Sequence, residues 1–464
     1  MRSEPERVAD GRVWLVLADP LSTRIFFDCG IVERLRARLD ERLQLAFLLT
    51  REEAAPWADR LPSGQVLYRD DLYPASVRPA ERIRRRADGW LDEKIGYYPL
   101  AIRLNYRHGF HLERMRPGHA NWLLDSSRVG PLPRRRVLER WMTRWHFSPR
   151  RYISSALLDR LSSERPAIVF SNLQMQAAVP FIAAGRRLGL PLVGYVTSWD
   201  HTVGKGVISP HLDRYVVQND AMLDDLVRYH DVDRSRITVT GWPQTDVFHV
   251  RRPRKAYEAI VRGYGLDPER PLVLVMGNTP TNMPYEGRFV ERLVDWHAGL
   301  GAGAPSLLFR PHPRDKAWRE RFAAAFNGPG VAVQEPSYTD IDALATLLQH
   351  GSCVVTNAGT ILLDALVNDR PSVCVLYDEG APPSESWAAQ NVAGEHYREL
   401  VASGAFTRAE CFEDVAGGIE RCLARPGELA EERQRVVRAV VGDVDGCAAA
   451  RVVDAILAAV GPER

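Results

Sequence analysis

The chain has 464 residues, too many for one typical domain and suited to two of about 200 residues each. With 45% hydrophobic and 26% charged residues it has a globular composition, and no apolar run is long enough for a transmembrane helix. A net charge of only +2 excludes a chain-wide nucleic-acid signal, so no nucleic-acid partner is expected. The opening MRSEPERVADGR lacks an apolar core, so no secretory signal is expected. Cys29, Cys353, Cys374, Cys411, Cys422 and Cys447 show no CxxC and no metal spacing. They read as reduced, mostly buried thiols of a cytoplasmic protein.

Val13–Ala18 reads as a buried strand, Asp19–Arg24 as a loop, and Gly30–Arg42 as an Arg/Leu-rich helix before a second strand at Leu43–Leu49. This β-loop-α-β opening starts a doubly wound α/β sheet, in which loops at strand carboxyl ends face the ligand crevice. Ser22, Thr23 and Arg24 are therefore candidate contacts, with a plain turn as the alternative.

Residues 80–151 break the rhythm. Between Glu81 and Arg151 stand 17 Arg/Lys against 7 Asp/Glu, an excess near +10 that leaves the remainder near −8. Trp90, Tyr97, Tyr98, Tyr106, Phe110, Trp122, Trp141, Trp145 and Phe147 are interleaved. A basic, aromatic, partly helical insertion fits an anionic membrane surface or a lipid-linked acceptor. A helical elaboration with solvated arginines and core aromatics fits as well.

Strands return at Ala167–Phe170, Leu192–Val196, Leu212–Gln218 and Ile237–Thr240, with helices from Ser171 to Arg187 and from Asp220 to His230. Gly189 closes the first helix and Asn219 caps the second. Between them lies the polar loop Thr197–Gly206, with Trp199, Asp200, His201 and Lys205. Asp200 and His201 are the general-base candidates there, and Trp199 and Lys205 the candidate acceptor contacts. Asp200 as a simple turn cap is the alternative. Pro243, Pro253 and Pro268 mark residues 244–270 as a linker.

A second α/β series follows, with strands at Leu272–Met276, Ser306–Phe309, Val331–Val333 and Ser372–Tyr377, and a helix from Glu286 to His297. A helical, Ala/Arg-rich tail runs from about Glu410 to Val460. The centre of the second series is Tyr338–Pro371: a helix from Asp340 to Gln349, the strand Cys353–Val355, the loop Thr356–Asn357–Ala358–Gly359–Thr360, and a helix stopped by Pro371. A small-residue loop between strand and helix presents free N–H groups and a positive helix end, which is an anion site. Asp364 sits one turn beyond Thr360 on the same face, where a carboxylate suits ribose hydroxyls.

Four polar loops end strands in this half: Gly277–Asn278–Thr279 through Asn282, Arg310–Arg314, Tyr338–Asp340, and Thr356–Thr360. In a parallel sheet they converge. Pro311 and Pro313 fix the backbone on both sides of His312, so its ring is aimed, and Arg310 can hold phosphate oxygens beside it. No GxSxG, GxxxxGK[ST], HExxH or first-strand GxGxxG occurs. These absences count against a serine hydrolase, a P-loop NTPase and a nicotinamide dehydrogenase, and give no metal motif.

RPHP (Arg310–Pro313), YTDI (Tyr338–Ile341), TNAGTILLDAL (Thr356–Leu366) and RPSV, in that order, resemble the C-terminal half of CDP-glycerol glycerophosphotransferases and bacterial CMP-sugar transferases. They are also similar to the UDP-N-acetylglucosamine 2-epimerase superfamily. The SWDHTVGKG loop looks like the SWDN-type loop of bacterial GT-B transferases. The resemblance covers about residues 166–380. It implies a GT-B fold, with two Rossmann-like domains facing a cleft. Residues 1–243 would form the acceptor domain, with the 80–151 insertion, 271–440 the nucleotide-donor domain, and 441–464 a C-terminal helix. It implies a glycosyltransferase that moves a sugar from a nucleotide-activated donor to a glycan or lipid-linked acceptor, in the cytoplasm or peripherally on the membrane. His312 would contact donor phosphate, Thr356–Thr360 would bind phosphate, and Asp364 ribose. The HVEAGLR motif of the epimerases is missing, and Ser198–His201 replaces the WHG-type motif of the glycerophosphotransferases. CDP-polyol phosphate transfer and non-catalytic nucleotide-sugar binding stay open. No cofactor or metal is expected.

Overall fold

The structure is a computed structural model that describes residues 11–73, 143–173, 176–204, 207–382, 385–392 and 394–460, with seven single positions between 82 and 141. Most of the 80–151 insertion, and Lys205, lie outside the described residues. The chain divides into two compact units, Met1–Pro243 with Cys447–Arg464, and Gln244–Gly446.

The first unit carries the strands β1 Val13–Leu17, β2 Leu43–Phe47, β3 Val66–Tyr68, β4 Ala167–Phe170, β5 Leu192–Tyr195, β6 Arg214–Val217 and β7 Ile237–Val239. They form one sheet in the order β3-β2-β1-β4-β5-β6-β7. The second unit carries β8 Leu272–Met276, β9 Ser306–Arg310, β10 Val331–Val333, β11 Cys353–Thr356, β12 Ser372–Val375 and β13 Thr407–Ala409, in the order β10-β9-β8-β11-β12-β13. All the pairings are parallel. Both orders reverse beside the first strand, so each sheet has a switch point, β1/β4 in one and β8/β11 in the other. That is the doubly wound, Rossmann-like arrangement.

The central strands are short, apolar and buried on both faces, as VWLVL in β1 and LVLVM in β8 are. Such runs fit parallel sheets whose two faces are covered by helices. The edge strands β3 and β13 have only three residues each and mixed burial.

Three expectations change. Pro20–Asp28 is a helix, not a loop: Asp19 caps it by accepting from the amides of Leu21 and Ser22 at 3.0 and 3.1 Å, with Pro20 at the first helical position. His201–Gly204 is a short helical turn within the expected Thr197–Gly206 loop. The 244–270 stretch carries two helices of the second unit, Pro243–His249 and Arg254–Gly263, the latter burying Tyr257 and Val261. The caps at Asn219 and Gly189 are as expected: Asn219 accepts from the Met222 amide at 2.8 Å, and Gly189 has φ +65°.

The helix Ala448–Val460 returns to the first unit and packs on the helix Ile31–Leu39 and on β5 and β6. Arg451 Nε donates to the Thr240 carbonyl at 2.7 Å. At Gly241 (φ +85°) a Cβ would stand 2.9 Å from the Arg451 guanidinium, so glycine is needed for both the turn and the approach. Among the described residues, no helix is long and apolar enough to cross a membrane. Ile456 of the returning helix is fully buried. Ile456→Ala is expected to destabilise the first unit by about 3 kcal/mol. Hydrogen exchange would then speed up at β5 and β6 while β8 and β11 keep their protection.

Candidate functional site

In the second unit the switch point brings together the carboxyl ends of β8, β9 and β11. At Gly277 a Cβ would lie 2.9 Å from Phe322 Cζ, 3.1 Å from Pro311 Cα and 3.4 Å from the His312 amide nitrogen. Glycine therefore lets the loop after β8 lie against the RPHP turn. The Gly277 amide donates to the Arg310 carbonyl at 2.9 Å. Asn278 then reaches across: its side-chain amide donates to Asn357 Oδ1 at 3.1 Å and to the Ala358 carbonyl at 3.5 Å. Its own oxygen accepts from the Thr279 amide and from Asn282.

Asn357 is the joint of the site. Its amide donates to the Val375 carbonyl at 2.6 Å and the Ala388 carbonyl at 3.0 Å. Its oxygen accepts from Asn278 and, at 2.6 Å, from Asn391. Thr356 is buried beneath, its hydroxyl donating to the Asn357 carbonyl at 3.0 Å, so it holds the turn and does not face a ligand. Beyond it, Gly359 stands at the start of the helix Thr360–Val367, and no side chain caps that end. A Cβ on Gly359 would come near only Ile361, at 4.0 Å, so the space in front is open. An uncapped helix start with open space ahead has the geometry and dipole to receive an anion.

His312 is half-buried, and its Nδ1 accepts from the Arg314 amide at 3.0 Å. In the neutral ring the proton is then on Nε2, which makes that atom a donor. Arg310 is engaged elsewhere: it makes a two-pronged pair with Asp340 at 2.7 and 2.9 Å and a bond to Gln334. It ties the RPHP turn to the Tyr338–Asp340 loop. Tyr338 in that loop is half-buried. Asp364, expected at ribose, is buried, and both its oxygens accept from the Gln244 side-chain amide at 2.7 and 2.8 Å.

Behind the loops lies a buried ionic group the sequence did not reveal. Arg321 bonds to Glu286 at 2.7 Å, to Asp315, and to the Met283 carbonyl at 2.7 Å. Glu286 also accepts from the Asn278 amide at 2.8 Å. Met283, Glu286, Thr356 and Asn357 line a small cavity there. Burial pushes the Glu286 carboxyl up to about 7, against the opposing pull of Arg321 and the Asn278 N–H.

In the first unit the corresponding switch point is filled by its own side chains. Asp19 Oδ2 accepts from the Ser22 hydroxyl at 2.7 Å and from Asn172 at 2.8 Å, and Ser22 meets Ser171 at 2.8 Å. Ser22 and Thr23 are fully buried and Arg24 is half-buried on the same helix. Ser22 is thus a capping partner, not an acceptor contact. Trp199 is buried, its ring centroid 6.4 Å from that of Trp242, so it packs. Asp200 and His201 do come together: Asp200 Oδ1 accepts from Ser198 at 2.5 Å and lies 4.0 Å from His201 Nε2. Among the described residues, no group of three His, Cys, Asp or Glu side chains could hold a metal ion.

No family model matches the chain, and no curated protein matches it in sequence. Solved structures do match it in fold. S. aureus MnaA with UDP aligns at TM-score 0.54 and 11% identity, over 97% of this chain and 96% of that one. UDP-GlcNAc 2-epimerase from Neisseria meningitidis bound to UDP-GlcNAc aligns at TM-score 0.53 and 10% identity, over 96% and 99%. A glycosyltransferase from Rickettsia africae aligns at TM-score 0.50 and 10% identity, over 98% and 99%. The fold is GT-B. At these identities the likeness extends to architecture, and the GT-B sheets of this chain match the expected α/β class.

Glu286 gives a pH test. The folded protein binds its proton more tightly than the unfolded chain, whose carboxyl sits near 4.5. Stability from this group therefore falls as pH rises from about 4.5 to about 7, and stays lowest above that. Relative to Glu286→Gln, the wild type is expected to lose roughly 1 kcal/mol per pH unit across this window. Urea unfolding of both proteins at pH 5, 6, 7 and 8 measures it. Parallel stability curves would show that Arg321 keeps Glu286 charged throughout.

Proposed function

We propose that this protein is a glycosyltransferase that moves a sugar from a nucleotide-activated donor to a hydroxyl of a glycan or lipid-linked acceptor. The observation that carries the reading is the uncapped start of the Thr360–Val367 helix at the β8/β11 switch point, beside the RPHP turn. That end, with the His312 Nε2–H, suits the diphosphate or monophosphate of a nucleotide sugar. Structural neighbours solved with UDP or UDP-GlcNAc support a nucleotide-sugar ligand.

In the proposed reaction the acceptor oxygen attacks the anomeric carbon as its proton passes to Asp200, with His201 beside it. The bond from that carbon to the phosphate oxygen breaks, and its electron pair leaves with the nucleotide. The helix start and His312 offset the charge that grows on the phosphate. Gly277, Asn278, Thr279, Asn357 and Gly359 shape the donor site, and Arg310 and Asp364 act through Asp340 and Gln244. The sequence gives no sign of a metal motif in this mechanism, and metal independence is part of the proposal. The epimerases among the neighbours favour a second reading, epimerisation of a nucleotide sugar.

Thermal-shift titration with UDP, GDP, CMP, CDP and dTDP is expected to show stabilisation by one base class. His312→Ala should weaken that binding about tenfold. Asp200→Asn should keep it and lower turnover about a hundredfold or more. Stabilisation by none of the five overturns the proposal. Product analysis then separates a transferred sugar from an epimerised nucleotide sugar.

A further inference from the structure

Val137, Trp141 and Trp145 are 70%, 59% and 49% exposed, on helical backbone and four residues apart. Positions spaced by four form one stripe of a helix. The two indole rings stack, with centroids 5.7 Å apart and planes 29° from parallel. Other large exposed apolar side chains among the described residues, such as Val227, Val250, Leu300 and Phe326, include no tryptophan.

The stripe is firmly mounted. His146 and Phe147, which follow directly, are buried. Arg186 donates to the Phe147 carbonyl, and Arg151 donates to the His146 carbonyl at 2.8 Å. Arg140 makes a two-pronged pair with Asp231, both bonds 2.7 Å. Arg140 and Arg144 each precede a tryptophan by one position, which sets them along one edge of the stripe. Arg144 and Arg150 are exposed. Between residues 134 and 151 the sequence has seven arginines and one acid, Glu139.

We propose that the Val137/Trp141/Trp145 face docks on an anionic lipid surface. Tryptophan has an apolar body with a polar N–H and settles where acyl chains meet headgroups. Arg144, exposed beside the rings, adds attraction to anionic headgroups. A second copy of the chain would bring the same arginine row against itself, so like charge disfavours self-association through this face. The face is independent of the nucleotide reading, and its test needs no turnover.

The test is co-sedimentation of the full chain with vesicles of three parts phosphatidylcholine to one part phosphatidylglycerol, and with phosphatidylcholine alone. Binding is expected for the anionic vesicles and is reduced by half-molar salt. The double variant Trp141→Ala/Trp145→Ala should bind about tenfold more weakly. Arg144→Gln, which leaves both rings in place, should bind about fivefold more weakly. No binding by the wild type, or equal binding by wild type and both variants, overturns the proposal. So does a concentration-dependent dimer that the tryptophan variant abolishes, which would assign the face to a second copy.

Discussion

Asn357 uses all its hydrogen-bonding capacity, with two donor hydrogens given to carbonyls and two lone pairs filled by Asn278 and Asn391. It thereby joins the ends of β8, β11 and β12 to the segment around Ala388 and Asn391. A buried amide with four partners permits one orientation. Any loss would leave several groups unsatisfied at once, each costing about 1–3 kcal/mol. The open helix start two residues on inherits its position from this joint. Gly277 extends the same constraint to the RPHP turn, since only a residue without Cβ allows the close approach.

The two sheets share a topology and differ at their switch points. In the first unit the crevice is closed by Asp19, Ser22, Ser171 and Asn172 bonding among themselves, and Asp19 spends its carboxylate on capping a helix. In the second unit the helix after the fourth strand of the sheet, Thr360–Val367, has no side-chain cap, like Val179–Leu188 after β4, and its start meets open space at Gly359. The same order of six strands thus carries one switch point filled by its own side chains and one with open space at a helix start. The difference lies in a few side chains after the first and fourth strands.

Much of this was legible in the residues themselves. Apolar runs such as Leu272–Met276 marked the central strands because full burial leaves no polar position. The Thr356–Thr360 loop and the RPHP turn were legible because small residues and prolines act locally. What escaped depended on partners far along the chain. Gln244 and Asp364 are 120 residues apart, and nothing near either shows that the carboxylate is already taken. Glu286, Asp315 and Arg321 look like ordinary surface charges until the fold brings them together. Asp19–Arg24 reads as a loop by its polarity, although Asp-Pro is equally a helix start. Trp199 sat in a polar loop, and only the fold sets it against Trp242. The strand β13, Thr-Arg-Ala, has no apolar run to mark it, whereas the equally short β7 and β10 do.

The chain passes between the two units twice, after Pro243 and before Cys447. The second unit is consequently one uninterrupted reading frame, Gln244–Gly446, nested inside the first. A gene fragment spanning those codons encodes every strand of the β8–β13 sheet. The first unit has no such fragment: a stop codon after Gly446 would strip β5 and β6 of the helix that covers them. At the level of gene architecture, the second unit is the separable cassette, and its host is the part that tolerates no simple cut.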